Sequence, residues 1–500
     1  MKESSTYSVA IPETVHAQAA DHLLRPDGQE DLCFALWHPS RGKTRTTALV
    51  KKLELPQSGE RLIHGNATFL AQYFERAVCE AASAGAGIVL MHSHPGSGWQ
   101  GMSRDDIRAE ETHAPAAYGA TRLPLIGMTL GKDGSWSARF WVRVDTRKYE
   151  REWCTHVRVV GERLAITYAD HLVPPPKPKT EQLRTVSSWG QRIQADLARL
   201  RVGIVGAGSV GSIIAEVLAR TGIARITLLD FDTVEFVNLD RLLHATRLDA
   251  LLRRPKVWSL ARGLRRSATA DDFRVDELEW SVCEEEGYRA ALDCDILFSC
   301  VDRPWARSTL NFIAYAHLVP VVDGGIRVES KPDGLQRADW KAHIAGPGRR
   351  CMECSDQYNS GLVTVERDGY FDDPSYIQGL PVDHEIRRSE NVFAFSLSAA
   401  SFEVLQALMM IVAPLGIASP GAQTYHFVPG WLDEPKFGPC KKNCPFPNFI
   451  AEGDHASFAV TGQHRRAELA RAERVAERLP WCGRLAAFFE RLAERLSRSC

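Results

Sequence analysis

The chain has almost no net charge: 61 Lys and Arg stand against 62 Asp and Glu, a formal balance of −1. With no excess of either sign there is no general electrostatic pull toward nucleic acid or an anionic membrane, and neither is expected as a partner. An uninterrupted apolar run of membrane-spanning length is also missing. The nearest stretch, Val392 to Pro414, carries Glu403, Gln406 and three serines and reads as a buried core helix. The first residues, MKESSTYSVA, contain no apolar stretch of signal-peptide length, so the expected location is the cytoplasm. Twelve cysteines in such a chain argue against a disulfide scaffold and direct attention to metal pairs or reactive thiols. There is no internal repeat and no low-complexity tract.

What is present is a chain of 500 residues, 44% apolar and 25% charged, the mixture of a folding globular protein. That length predicts about two to four domains. Proline gathers at Pro174-Pro175-Pro176-Lys177-Pro178, where missing donors and extended backbone make a semi-rigid spacer. The resulting division is residues 1–172, a linker at 173–180, a second unit at 181–450 and a helical tail at 451–500. In the tail, Leu485, Phe488, Phe489, Leu492 and Leu496 share one helical face, which is expected to dock on the protein's own surface. The first unit reads as strands at Leu32–Trp37, Thr46–Leu55 and Gly87–Met91 with a helix over Ala67–Ala82. The second alternates short apolar strands, at Val202–Val205, Ile226–Leu229, Ile296–Cys300 and Val319–Val322, with helical patterns. That alternation implies an α/β fold with a mostly parallel sheet.

The first strong chemical signal is His92-Ser93-His94-Pro95-Gly96 at the end of a strand. Side chains two apart on extended backbone share a face, so both imidazoles can reach one ion. Ser103-Arg104-Asp105-Asp106 follows, where Ser103 can cap a helix and Asp106 can point back to the histidines. Two histidines and one carboxylate leave a tetrahedral zinc with an open position for water, the pattern of catalytic rather than structural sites. The bland alternative for an isolated His-x-His is a surface turn.

The set resembles the motif of the JAMM (JAB/MPN) metalloprotease family: an upstream Glu, then H-x-H-P, then S-x-x-D. The resemblance implies His92, His94 and Asp106 as ligands of a catalytic zinc, Ser103 as a partner of the tetrahedral oxyanion, and Glu30 as the general acid and base. Asp31 and Glu54 are the weaker alternatives to Glu30. Eight residues separate His94 from Ser103, one more than the family commonly has, and glycines at 96, 98 and 101 can absorb the difference. The implied substrates are peptide or isopeptide bonds that follow the C-terminus of ubiquitin-like proteins.

The second signal is Val202-Gly203-Ile204-Val205-Gly206-Ala207-Gly208-Ser209-Val210-Gly211, a strand passing through a glycine-rich turn into a helix. Gly206, Gly208 and Gly211 allow backbone to approach phosphates at a helix N-terminus. Asp230 ends the next strand, where it can hold ribose hydroxyls, and a nicotinamide dehydrogenase is a possible reading of these features alone. The continuation, Asp230-Phe231-Asp232-Thr233-Val234-Glu235-Phe236-Val237-Asn238-Leu239-Asp240-Arg241, resembles the ThiF, MoeB and ubiquitin-activating adenylyltransferase family instead. That resemblance implies ATP and Mg²⁺, with Asp230 and Asp232 in the nucleotide site. Asn238 would orient the triphosphate, Arg241 and Lys256 would neutralise it, and Asp302 would hold magnesium. Arg184 fits an arginine finger supplied across a homodimer, with Arg192 also available.

Cys351-Met352-Glu353-Cys354 and Cys440-Lys441-Lys442-Asn443-Cys444 have the spacing of a closed, four-thiolate structural zinc. Two unrelated thiol pairs are the alternative. Between them, Ser355 to Pro439 contains no cysteine, although thioester-forming activating enzymes carry theirs there. Either the reaction stops at the acyl-adenylate or an outlying thiol serves, for which Cys482 and Cys500 in the tail are the candidates. Cys33, Cys79, Cys294 and Cys300 sit in apolar runs and are expected in cores, and Cys154 and Cys283 stay unclassified.

The expected whole is a bacterial-type fusion: a JAB/MPN-like α/β peptidase, a Rossmann-like adenylation domain with a structural zinc, and a short helical tail. It would act on a ubiquitin-like protein, cutting after its C-terminus and adenylating that C-terminus for a separate conjugating enzyme. A second reading is sulfur-carrier activation to a thiocarboxylate, with the JAMM half releasing a biosynthetic product. A third is a carrier-binding scaffold with degenerate sites.

Overall fold

The short apolar runs become strands of two large sheets in this computed structural model, which describes residues 6–64, 66–372, 378, 390–457 and 460–475. The first sheet orders its nine strands as Leu164–Tyr168, His156–Val160, Thr6–Pro12, Arg45–Glu54, Leu32–Arg41, Gly87–His94, Leu125–Gly131, Trp136–Asp145 and Lys148–Trp153. Alternation along Leu32–Arg41 sends Cys33, Ala35 and Trp37 to a core shared with helix Glu13–Leu23. Leu32, Phe34 and Leu36 go to the other face, beneath helices Ala71–Ser83 and Arg104–Thr121. His92 and His94 emerge on this second face, in line with Ile88 and Leu90.

The helix expected over Ala67–Ala82 spans Ala71–Ser83 instead, because Asn66–Phe69 pairs with Arg61–His64 as a hairpin. Phe69 thereby reaches the core, with its ring centroid 5.1 Å from that of Phe34.

In the second sheet Arg274–Leu278, Arg225–Leu229, Arg201–Val205, Ile296–Ser299 and Val321–Lys331 lie side by side and parallel. Gly334–Ala345, Gln423–His426 and Trp431–Leu432 extend it antiparallel. Strand order reverses direction beside Arg201–Val205, so a crevice opens at the carboxyl ends of the parallel strands, where such folds bind ligands. Phe393–Val412 is the one helix among the described residues long and apolar enough to cross a membrane. It packs on helix Ser209–Thr221 and on the strands Val321–Lys331 and Gly334–Ala345.

The two units share a core. Ala10, Leu49, Val160 and Leu164 of the first sheet pack with Leu200, Val202 and Ile344 of the second unit. Beside this apolar contact lies a buried polar one: the Asp295 carboxylate accepts from Arg45 at 2.6 Å and from Arg158 at 2.9 Å, and His156 Nε2 lies 3.2 Å away. His317 bridges the same junction, 2.8 Å from the Ser40 hydroxyl and 2.6 Å from that of Tyr288.

Residues 460–475 do not stand apart as a tail; they run back over the second unit, helical from 465 to 475. The apolar face expected from Leu485 to Leu496, with Cys482 and Cys500, lies outside the described residues. Cys33, Cys154, Cys283 and Cys294 are buried, whereas Cys79, expected in a core, is exposed on the outer side of its helix.

Candidate functional site

Three side chains converge where the strand Gly87–His94 ends. Ser103 caps helix Arg104–Thr121 by accepting from the Asp106 amide at 3.1 Å, and the Asp106 carboxylate accepts in return from the Ser103 amide at 2.7 Å. This capping box fixes the first helical turn so that Asp106 faces the histidines. His92 Nε2 and His94 Nε2 are 3.2 Å apart, and Asp106 lies 3.5 Å from the first and 3.3 Å from the second. A tetrahedral zinc with bonds of about 2.0–2.1 Å places neighbouring ligand atoms about 3.3 Å apart, so these three can form one face of such a tetrahedron. Burial opposes ionisation of Asp106, but hydrogen bonds from the two histidines hold its carboxyl far below the usual range.

A buried chain runs from the helix to the edge of this triangle, ending at the same nitrogen of His92. Glu110, one helical turn beyond Asp106, accepts from Arg139 Nε at 2.9 Å and from Trp141 Nε1 at 2.7 Å. Arg139 donates to the Thr129 hydroxyl at 2.6 Å, and that hydroxyl lies 3.3 Å from His92 Nε2. Nothing in the local sequence marks Glu110 or Arg139, since charges on a helix and on a strand usually read as solvated.

The three candidates for the general base separate clearly. The Ser93 amide donates to the Asp31 carbonyl at 3.1 Å, continuing the pairing of Leu32 with His92. Glu30 lies two residues before the strand Leu32–Arg41 and is half-buried. Asp31 enters ion pairs with Arg25 and Arg61, and Glu54 is held by Lys52 and Arg76. Among the described residues no ion pair ties up Glu30.

The crevice of the second sheet is a cavity of about 850 Å³. Gly206 takes φ +99°, and a Cβ there would strike the Cys300 carbonyl, so glycine alone fits the turn. Gly208 faces open space, which lets a ligand approach its backbone, while Gly211 packs against the Gly206 carbonyl and lets the helix start close to the strand. Gly206, Gly208, Asp230, Asp232, Arg241, Lys256 and Asp302 all line the cavity. Gly211 and Asn238 do not: the first acts through packing, and the Asn238 side chain accepts from the Glu235 amide at 3.0 Å. Arg184 and Arg192 are exposed and line no part of the cavity.

The cavity wall mixes carboxylates with Lys256 and several arginines. Lys256 donates to Asp232 at 2.9 Å. Asp230 accepts from the amides of Ala207 and Asp232, both at 2.7 Å, and burial pushes its carboxyl up to about 6. At the far end lie residues the sequence did not mark. Arg307 donates to the Gly324 carbonyl at 2.8 Å and lies 3.4 Å from the buried Asp323. Burial and the neighbouring Asp323 push the Glu403 carboxyl well above its ordinary value.

Cys351, Cys354, Cys440 and Cys444 come together with all four sulfurs within 4.8 Å of one another. The Cys351 and Cys444 sulfurs are 3.6 Å apart, close to the edge of about 3.8 Å expected for a tetrahedron with Zn–S bonds of about 2.3 Å. Backbone amides of Cys351, Cys354 and Lys441 donate to sulfurs of the set at 3.2–3.3 Å, the arrangement that stabilises thiolates. This group could hold a metal and would pin the loop after Gly334–Ala345 to the segment before Phe446.

Residues 180–414 match the ThiF family. Over 145 residues the chain is 35% identical to the molybdopterin-synthase adenylyltransferase of Escherichia coli (strain K12), covering 28% of this chain and 54% of that protein. Over 143 residues it is 32% identical to ubiquitin-like modifier-activating enzyme 5 of Drosophila virilis, covering 26% of this chain and 34% of that one. The chain thus spans about half or less of the length of these curated relatives. A solved structure of E. coli MccB with ATP is similar at 17% identity and a TM-score of 0.40, over 54% of this chain and 74% of that one. The glycine turn, the Asp230–Arg241 run, Lys256 and Asp302 all fall inside the matched segment, and residues 180–414 are a ThiF-family domain.

Proposed function

We propose that the protein activates the C-terminal carboxylate of a ubiquitin-like or sulfur-carrier protein by ATP-dependent adenylation, and that its first unit is a JAMM-type zinc peptidase acting after the same C-terminus. The observation that carries the activation reading is the convergence of Gly206, Gly208, Asp230, Arg241, Lys256 and Asp302 on one cavity within a ThiF-family domain. The glycine-loop amides and the N-terminus of helix Ser209–Thr221 would receive phosphate, and Lys256 and Arg241 would offset charge as pyrophosphate leaves. Asp302 would hold Mg²⁺. Asp230 would take the ribose hydroxyls. The partner chemistry follows the relatives, whose names describe activation of ubiquitin-like modifiers and service to molybdopterin synthase. A finger role for Arg184 or Arg192 requires a second protomer, since both lie away from the cavity of their own chain.

For the peptidase reading the carrying observation is the triangle of His92, His94 and Asp106, whose edges suit one tetrahedral zinc. When bound there, such an ion would lower the pKa of its water to about 7 and polarise the scissile carbonyl. Ser103, beside Asp106, would hydrogen-bond the oxyanion, and Glu30, which continued strand pairing would set near His94, would carry the proton to the leaving amine. The four cysteines would hold the second, structural zinc. A thiocarboxylate product is the second reading for the activating half, favoured by the absence of any cysteine from Ser355 to Pro439.

The test pairs purified protein with candidate carrier proteins, ATP and Mg²⁺ in a pyrophosphate-exchange assay. Carrier-dependent exchange lost in Lys256→Ala supports activation; no exchange with any carrier refutes it. Mass analysis of the carrier separates an amide conjugate from a thiocarboxylate. For the peptidase, Glu30→Gln should keep zinc and lose cleavage of carrier fusions, and undiminished cleavage would refute the base assignment.

A further inference from the structure

We propose that the returning segment 460–475 is a wall of the nucleotide site, and that His464 and Arg466 contact the base and ribose end of the bound nucleotide. This rests on the nucleotide reading above. Strand order lays out the cavity from centre to edge. The glycine turn ends the central strand Arg201–Val205, Asp230 follows the next strand outward, and Trp280 to Val282 follow the edge strand Arg274–Leu278. Phosphate at the first position and ribose at the second leave the base at the third. Phe231 and Trp280 line the cavity on that side; Arg466 lies over the Phe231 ring, and His464 lines the cavity between Phe231 and Trp305.

The segment is bolted down on both sides of these two residues. Before them, Trp305 Nε1 donates to the Val460 carbonyl at 3.0 Å, and the Gly462 amide donates to the Cys283 carbonyl at 2.9 Å. After them, Arg471 pairs with Glu284 at 2.5 and 2.9 Å and lies 3.9 Å over the Trp280 ring, and Arg474 pairs with Glu279. Four anchors on one short segment hold a defined surface against the cavity.

His464 begins the helix of 465–475: its Nδ1 accepts from the Ala467 amide at 3.2 Å, which leaves the ring proton on Nε2 as a donor. The ring is stacked on Trp305 at 5.4 Å and 12°, with Phe231 5.0 Å away on another side. Burial lowers its basicity, so it stays neutral, suited to a heterocycle rather than to phosphate. Arg466 lies 3.4 Å from Asp232 and 5.8 Å over the Phe231 ring. It therefore shares with Lys256 the carboxylate next to Asp230, at the ribose end of the site. A planar guanidinium in this place can stack on a base, which the lysine's ammonium cannot, and can donate to ribose hydroxyls as well.

The measurement is calorimetric binding of Mg·ATP and, separately, of inorganic tripolyphosphate to the full chain. Three variants are compared: Arg466→Ala, His464→Ala, and the pair Arg471→Ala with Arg474→Ala, which unlatches the segment from outside. Arg466→Ala and the unlatched pair are expected to weaken ATP binding about tenfold, the loss of one charge-assisted hydrogen bond or stacked contact. His464→Ala should weaken it less. Tripolyphosphate affinity should change by less than about twofold in all three, because the phosphate end is untouched. ATP affinity unchanged in both Arg466→Ala and the unlatched pair overturns the proposal, as does tighter binding in either, which would make the segment a plug. If the unaltered chain binds no ATP, the nucleotide reading falls as well; indifference of the variants alone leaves that reading standing.

Discussion

Replacing Asp295 by alanine tests how the two units are held together. This side chain is 1% exposed and serves two fully buried guanidinium groups, Arg45 at 2.6 Å and Arg158 at 2.9 Å, as well as the Arg201 amide at 3.0 Å. Among the described residues, Nε of Arg45 and both Nε and Nη2 of Arg158 already have no partner, so no spare acceptor stands ready to replace it. Alanine would leave two like charges in the junction without a counter-ion. Breaking a buried pair in this way costs about 3–5 kcal/mol, against a total stability of about 5–15 kcal/mol for a typical fold. Urea unfolding followed by tryptophan fluorescence measures the loss, with Trp37 and Trp136 reporting from the first unit. Replacing Arg45, Arg158 and Asp295 together by apolar residues of similar size should recover most of it, since the cost lies in the unpaired charges. The pH dependence gives an independent arm. Burial opposes ionisation of Asp295, but Arg45, His156 and Arg158 hold its carboxyl well below the usual 3.8. Its stabilisation is thus complete above about pH 4 and lost only as pH falls through that depressed value. A loss under about 1 kcal/mol at neutral pH in Asp295→Ala would refute the reasoning and mean that water or backbone compensates both arginines.

Gly206→Ala should abolish ATP binding in calorimetry and lower the melting temperature, because φ +99° and the Cys300 carbonyl leave no room for a Cβ. Metal analysis by mass spectrometry should find two zinc ions per chain, one lost in His92→Ala and the other in Cys351→Ser, with neither substitution removing both. Glu110→Ala should destabilise by about 3–5 kcal/mol by stranding the buried Arg139, a loss read by urea unfolding. Burial holds His317 neutral, with Arg289 adding to the effect, and its value falls to about 3; His156 falls to about 4 for the same main reason. An unfolded histidine protonates near 6.5, so stability should be flat above that pH and decline steadily as pH drops toward 4. His317→Asn should flatten part of that decline in acid titrations of the melting temperature.

Legibility in the sequence followed the range of each interaction. His92 and His94 share a face because they are two apart on one strand, and Ser103 and Asp106 close a capping box within a single turn, so the convergence of the three side chains was readable from spacing. The glycine turn was readable for the same reason: Gly206, Gly208 and Gly211 answer to local backbone needs, although the structure divides their labour, with Gly211 serving packing rather than the cavity wall. The hairpin at Arg61–Phe69 was missed because its pairing depends on Phe69 finding Phe34, a contact across 35 residues that no helical periodicity reveals.

Charged residues far apart in the chain were the least readable, and they are where the two units meet. Arg45, Arg158 and Asp295, each taken alone, look like solvated charges, yet all three are buried because their pairing closes only once both sheets are docked. Arg466 has the same character: in sequence it is one of many arginines in a polar helix, and its place beside Asp232 depends on contacts on both sides of it, Val460 and Gly462 before and Arg471 and Arg474 after. A buried charge is tolerated only with a partner of matching geometry, so such residues must be ordered by the same event that joins the domains. If that holds, the variant that loosens the junction at Asp295 should leave the short-range sites, the two histidines with Asp106 and the glycine turn, individually able to bind zinc and ATP, while lowering the temperature at which both bindings fail together. Binding lost at one site with the other unchanged across the same temperature range would show that the units melt independently and that the buried network does not couple them.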